Sequence, residues 1–181
     1  MPAGKSTLIL AILCLGHAAA EKSIEIFKSE HKLILKEDGT VLAEYGCALG
    51  KGGEEAKTSR GDNKTPEGEY RILSINRQSG FHIFLHLSYP NLDDIERARK
   101  AGRLDDSAYA ELARAAASGN PPQNTPLGGQ VGIHGIRNGM GWIGRLHRLR
   151  DWTQGCIALT NPEIEAIAGQ VQVGTRVNIR R

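Results

Sequence analysis

The sequence predicts a mainly β domain with a helical insertion at about residues 92–118 and a short helix after a cysteine-bearing loop. Three observations carry that expectation. Apolar residues alternate through short runs in the first half of the chain, the period of half-buried strands. A charged, alanine-rich tract with helical spacing then interrupts the strands. Beyond Cys156, the run "TNPEIEAIAG" opens with a helix-start signature and stops at Gly169.

The first twenty residues stand outside this pattern. Lys5 precedes the apolar run "LILAILCLG", and Ala18 and Ala20 set small residues at the −3 and −1 positions. That is the layout of a secretory signal cleaved after Ala20. The run is short for a bilayer span, and Leu13 before Cys14 is too large for a lipidation site. Residues 1–20 are therefore assigned to a signal peptide and 21–181 to one domain, exported to the periplasm. Losing Lys5 lowers the net charge from +3 by one, too mild a balance to suggest nucleic acid.

Strands follow in order. "SIEIF" is a short alternating run. "HKLILKEDGTVLAEYGCAL" reads as a hairpin around Asp38-Gly39. "GKGGEEAKTSRGDNKTPEGEY" is a loop rich in Gly, Asn and Asp, and "EYRILSINR" is the next strand. In "FHIFLHLSYPN", Phe81, Ile83, Leu85 and Leu87 share one face. From Leu92 to Ser118 two short helices break near Gly102, with Leu104, Tyr109 and Leu112 as a packing stripe. "QVGIHGI" returns to strand, with His134 opposite Val131 and Ile133. Asn161 is placed to cap the helix after Cys156, and Pro162 suits its first turn. "VQVGTRVNI" closes the domain.

Cys156 admits four readings: nucleophile, metal ligand, half of a disulfide, or small core residue. Only Cys47 is available as a bridge partner within residues 21–181, and its position at a strand end suits simple burial. His82 and His86 share a strand face but lie too far apart to hold one metal unaided, and neither Cys-x-x-Cys nor His-Glu-x-x-His occurs. No metal or cofactor is expected. His31 reads as a surface residue. His134 sits between Gly132 and Gly135, 22 residues before Cys156, where a returning loop can bring thiol and imidazole together. On composition alone a satisfied core histidine stays the simpler reading.

"KTPEGEYRI", "TPLGGQVGIHG" and "DWTQGCIALTN", in that order, resemble the catalytic domain of L,D-transpeptidases, the YkuD-like domain of bacterial cell-wall enzymes. The resemblance runs from about Ser23 to the C-terminus. "SYPN", the helical insertion, "GWIG" and "LHRLRDW" look like its single-domain proteobacterial branch. It implies a YkuD-like β-sandwich or barrel. It also implies a Cys156 nucleophile, a His134 base oriented by the Gly135 carbonyl, and an oxyanion hole from the Gly155 and Cys156 N–H groups. The substrates implied are peptidoglycan stem peptides, with a wall-linked protein as a further partner and carbapenems as acylating inhibitors. A monomer is expected.

Two departures stand out. Many members carry Ser-His-Gly-Cys, whereas this chain has Thr153-Gln154-Gly155-Cys156, leaving His134 as sole base unless His147 folds back. Many also carry an arginine two residues after the cysteine, where this chain has Ala158. Arg145, Arg148 and Arg150 are candidates to supply that charge to a substrate carboxylate, against a plain solvated face paired with Asp151. Gln154, Trp152 and His147 complete the candidate substrate-binding set, while Trp142 and Trp152 read more simply as buried at a loop base. The insertion at 92–118 is a candidate lid. A non-catalytic peptidoglycan-binding module is the main alternative, and a Cys47–Cys156 redox pair a lesser one.

Overall fold

The computed structural model describes residues 20–181, so the signal-peptide assignment lies outside the described residues, apart from Ala20. The strands are β1 (Lys22–Phe27), β2 (Lys32–Glu37), β3 (Thr40–Gly46), β4 (Gly68–Ser79), β5 (His82–Leu87), β6 (Gly132–His134), β7 (Ile157–Ala158) and β8 (Arg176–Arg180). Helices are α1 (Leu92–Lys100), α2 (Asp106–Ala117) and α3 (Asn161–Ala168), with a 3-10 stretch at Gly141–Leu149. No described helix is long and apolar enough to cross a membrane.

Alternation explains the strands. Ile24 and Ile26 of β1, Leu33 and Leu35 of β2, and Leu85 and Leu87 of β5 are fully buried, while their neighbours are not. Each such side chain is worth about 1.5–3 kcal/mol when buried. The β2–β3 hairpin turns at Asp38 and Gly39, both at positive φ (47° and 81°), the geometry that two-residue hairpin turns require.

The strand order is β3-β2-β1-β8-β4-β5-β6-β7. The two ends of this order meet. Beyond β3, Ala48 exchanges hydrogen bonds with Ala158 of β7 (3.0 and 2.8 Å), and Lys51 N and Leu49 O bond to Thr153 (3.0 and 3.1 Å). These contacts curl the sheet towards a barrel, and they tie the segment before Cys156 to the first hairpin.

The insertion forms the two helices expected, and Leu104 and Leu112 are buried. Asn91 and Asp94 form a capping box on α1. Asp94 also accepts the Tyr70 hydroxyl of β4 at 2.9 Å, fastening the insertion to the sheet. The cap of α3 differs from expectation by one residue. Thr160 is the cap, and its N–H donates to Glu163 at 3.0 Å. Asn161 instead turns its side chain back to accept the Ile136 N–H at 2.8 Å.

Candidate active site

β6 and β7 run parallel, with Ile133 opposite Ile157 and His134 opposite Ala158. Side chains alternate along a strand, so the face that carries His134 also receives Cys156, two positions before Ala158. Both line one cavity of about 640 Å³, together with Phe81, Phe84 and Trp152. A larger cavity of about 700 Å³ lies between β1, β4, β8 and the helical insertion and holds neither residue. The smaller one, which holds both the thiol and the imidazole, is the candidate site.

Gly155 is dictated by geometry. Its φ is +125°, and a Cβ there would meet the Lys64 carbonyl oxygen at 2.6 Å. The turn is set by Thr153, whose Oγ1 donates to the Cys156 carbonyl (2.7 Å) and accepts the Gly155 N–H (3.1 Å). Of the two expected oxyanion donors, the Gly155 N–H is thus engaged. The Cys156 N–H has no acceptor among the described residues.

The Cys156 thiol is half-buried and donates to the Gln130 carbonyl at 3.5 Å. Burial pushes it up to about 11, while the Gly132 N–H and the Lys57 ammonium pull the other way. His134 is 2% exposed. Its Nδ1 donates to the Gly135 carbonyl at 2.6 Å, as a carbonyl can only accept, leaving Nε2 as the basic nitrogen. Gly135 is itself pinned, since a Cβ there would lie 2.7 Å from Asn161 Oδ1. Phe84 stacks on the imidazole at 5.6 Å and 11°, with Phe81 at 4.6 Å and Trp152 edge-on at 5.8 Å. Burial among these rings pushes His134 down to about 4, against the opposing Gly135 bond. At neutral pH the cavity therefore carries an un-ionised thiol and a neutral imidazole.

The other expected residues divide. Gln154 is exposed and Trp152 half-buried, and both line the cavity. His147 does not. It is buried behind Trp152, which donates its indole N–H to His147 Nδ1 at 3.4 Å. Arg148 does not line the cavity either: it pairs with Glu163, the acid of the α3 cap. Arg145 and Arg150 are exposed and do not line the cavity. Asp151 pairs with His31 (3.1 Å) and the Leu49 N–H (2.7 Å), not with the basic stretch. Trp142 is 81% exposed, not buried. No residue of 92–118 lines this cavity, so the reading of the insertion as a lid over the thiol finds no contact to support it.

Cys47 is fully buried and unbridged, and burial pushes its thiol up to about 12. No group of three His, Cys, Asp or Glu side chains among the described residues could hold a metal.

Sequence reasoning missed the residues of the glycine-rich loop. Lys57 lines the cavity with its side chain 4% exposed, held by Asp62 at 2.8 Å. Arg60 lines it too, anchored by two bonds to the Thr125 carbonyl (3.0 and 2.7 Å). Lys28, 1% exposed, ties the loop to the barrel through the Glu55 and Thr65 carbonyls and Glu67. The composition of the loop advertised turns and gave no sign of buried lysines.

Among solved structures, the chain is similar to the helical cell shape determining protein Pgp2 of Campylobacter jejuni (K307A mutant). The identity is 24% and the TM-score 0.61, over 90% of this chain and 47% of that one. It is similar to Bd1075 of Bdellovibrio bacteriovorus at 20% identity and TM-score 0.56, over 89% and 48%. It also resembles an L,D-transpeptidase of Mycobacterium tuberculosis at 14% and 0.51, over 90% and 58%. The chain spans about half the length of these proteins, and at such identities the likeness is one of fold. No curated protein matches it. The model of the L,D-transpeptidase catalytic domain, YkuD, matches residues 21–179, nearly the whole described chain, and the protein belongs to that family.

Proposed function

We propose that this protein is a cysteine-dependent acyltransferase acting on peptidoglycan stem peptides in the periplasm. One observation carries the reading: Cys156, just before β7, and a neutral, aromatic-packed His134 on the adjacent β6 line a single cavity. Family membership supports the substrate class.

Cys156 Sγ attacks the carbonyl of the diamino acid at position three of the stem, and its proton passes to His134 Nε2. The Cys156 N–H is the donor open to the developing oxyanion, a contribution of about 3 kcal/mol in comparable sites. The tetrahedral adduct collapses to a thioester, and His134 returns the proton to the departing amine of the terminal D-amino acid. An incoming amine or water then attacks the thioester carbonyl and gives its proton to Nε2; the C–S bond breaks, the acyl group leaves, and His134 returns the proton to the Cys156 thiolate. An amine yields a cross-link or an attached wall-linked protein; water yields carboxypeptidase or amidase activity. The protein acts as a monomer.

Product analysis with a tetrapeptide muropeptide tests this reading. Release of the terminal D-amino acid by the wild type and not by Cys156→Ala is the expected result. Equal product from both removes the nucleophile. Binding without turnover in either favours a non-catalytic wall-binding module.

A further inference from the structure

Two cations reach the cavity, and neither comes from the segment around Cys156. Lys57 and Arg60 both belong to the glycine-rich loop, and among the described residues no Asp or Glu lines the cavity with them. The Lys57 stem runs beside the residue that precedes the nucleophile, since a Cβ on Gly155 would lie 4.0 Å from Lys57 Cδ. Gly128 packs against the head of the same side chain, since a Cβ there would lie 3.1 Å from Lys57 Cε and 3.4 Å from Nζ.

An ammonium has three N–H donors. Two are committed, to the Ser59 carbonyl (2.9 Å) and Asp62 Oδ1 (2.8 Å), and the third has no acceptor among the described residues. Asp62 is itself saturated, accepting the backbone N–H groups of Thr58 (2.7 Å), Ser59 (3.0 Å) and Lys64 (3.1 Å) as well. Asp62 therefore positions the lysine as well as partly offsetting its charge. Arg60 uses Nε and Nη2 on the Thr125 carbonyl, and Nη1 has no acceptor among the described residues. A buried ammonium and an anchored guanidinium edge thus reach one acid-free cavity, with a donor uncommitted on each. That donor set suits a carboxylate.

The geometry points to Lys57 and Arg60 as the subsite for the terminal carboxylate of the donor peptide, the carboxylate of the residue whose amine leaves. In a C-terminal residue that group is separated from the attacked carbonyl carbon by only the nitrogen and Cα. It is thus the substrate charge that must lie closest to the attacked carbon, and the Lys57 stem runs beside Gly155, the residue before the nucleophile. This rests on the acyl-transfer reading above. It replaces the arginines of "GRLHRLRDW" as the source of the charge that Ala158 does not supply. Only a donor ending in a free carboxylate satisfies the subsite, so longer stems and amidated ends are disfavoured.

The test compares two donor tetrapeptides, one with a free terminal carboxylate and one with a terminal carboxamide, as kcat/KM ratios. The wild type should favour the carboxylate by about 100-fold. Arg60→Gln, on an exposed side chain that leaves the fold intact, and Lys57→Met, which keeps the apolar stem, should each cut that ratio by about 10- to 100-fold, the worth of one charge-assisted hydrogen bond. Equal turnover of the two peptides by the wild type overturns the subsite and leaves the acyl-transfer reading intact. An unchanged ratio in both variants does the same. Absence of any Cys156-dependent product from either peptide removes the reading on which the subsite rests, and the subsite with it.

Discussion

The imidazole of His134 lies stacked on the ring of Phe84, with centroids 5.6 Å apart and planes within 11° of parallel. That contact, with Phe81 and Trp152 around it, keeps water from the ring and pushes its basicity down to about 4. Phe84→Ala should admit water and let His134 return towards its usual 6.5. The acid limb of the kcat/KM profile should then move up by one unit or more. A profile that keeps its acid limb near 4 would show that the aromatic packing does not set the basicity.

Gly155 should tolerate no side chain. A Cβ would lie 2.6 Å from the Lys64 carbonyl oxygen, on a residue at φ +125°. Gly155→Ala should cost about 3 kcal/mol of stability or more, from strain and clash together. It should also displace Cys156 enough to abolish turnover. Urea denaturation measures the first and steady-state kinetics the second.

Thr153 holds the turn on either side of the nucleophile, through the Gly155 N–H and the Cys156 carbonyl. Thr153→Val keeps shape and loses both bonds, for an expected loss of about 1–3 kcal/mol. Its kcat should fall by at least tenfold, as misplacement of a nucleophile is costly. Thr153→Ser restores the hydroxyl and should recover most of the rate.

Stability should fall as the pH drops from 6.5 towards 4. Burial holds both His134 and His147 at about 4 in the folded protein, so over this window the unfolded chain binds protons first. Asp94 works in the opposite sense, since burial raises its carboxyl to about 6. A variant therefore isolates the histidine effect better than the wild type alone. His147→Gln, measured by urea denaturation at pH 7 and 4.5, should lose less stability across that interval than the wild type. An identical loss would exclude His147 from the acid response.

Much of the fold was legible because its strands are half-buried. The alternation in "SIEIF" and "FHIFLHL" and the Asp38-Gly39 turn each leave a local mark, and the helices of the insertion carry their own caps. Cys156 and His134 were legible as candidates through their 22-residue spacing and the motifs around them, which resemble those of the family, and not through composition. What escaped was partnership. Arg148 looks like any surface arginine until Glu163 arrives from α3. Trp142 looks like a core residue, yet it stands 81% exposed on the 3-10 stretch. Lys57 is one of several charges in a loop, and only the folded chain reveals that Asp62, Gly128 and Gly155 enclose it. Charge and spacing do not encode which distant residue will neutralise which.

The most direct measurement is the intact mass of the protein during turnover of a tetrapeptide donor, followed by peptide mapping. A thioester at Cys156 should appear as an added acyl group, smaller than the donor by the released D-amino acid, and should be lost in Cys156→Ala. His134→Gln should accumulate it far more slowly, since the thiol held up near 11 would then lack its base. An acyl group found on another residue, or turnover that persists without Cys156, would contradict the assignment of Cys156 as nucleophile.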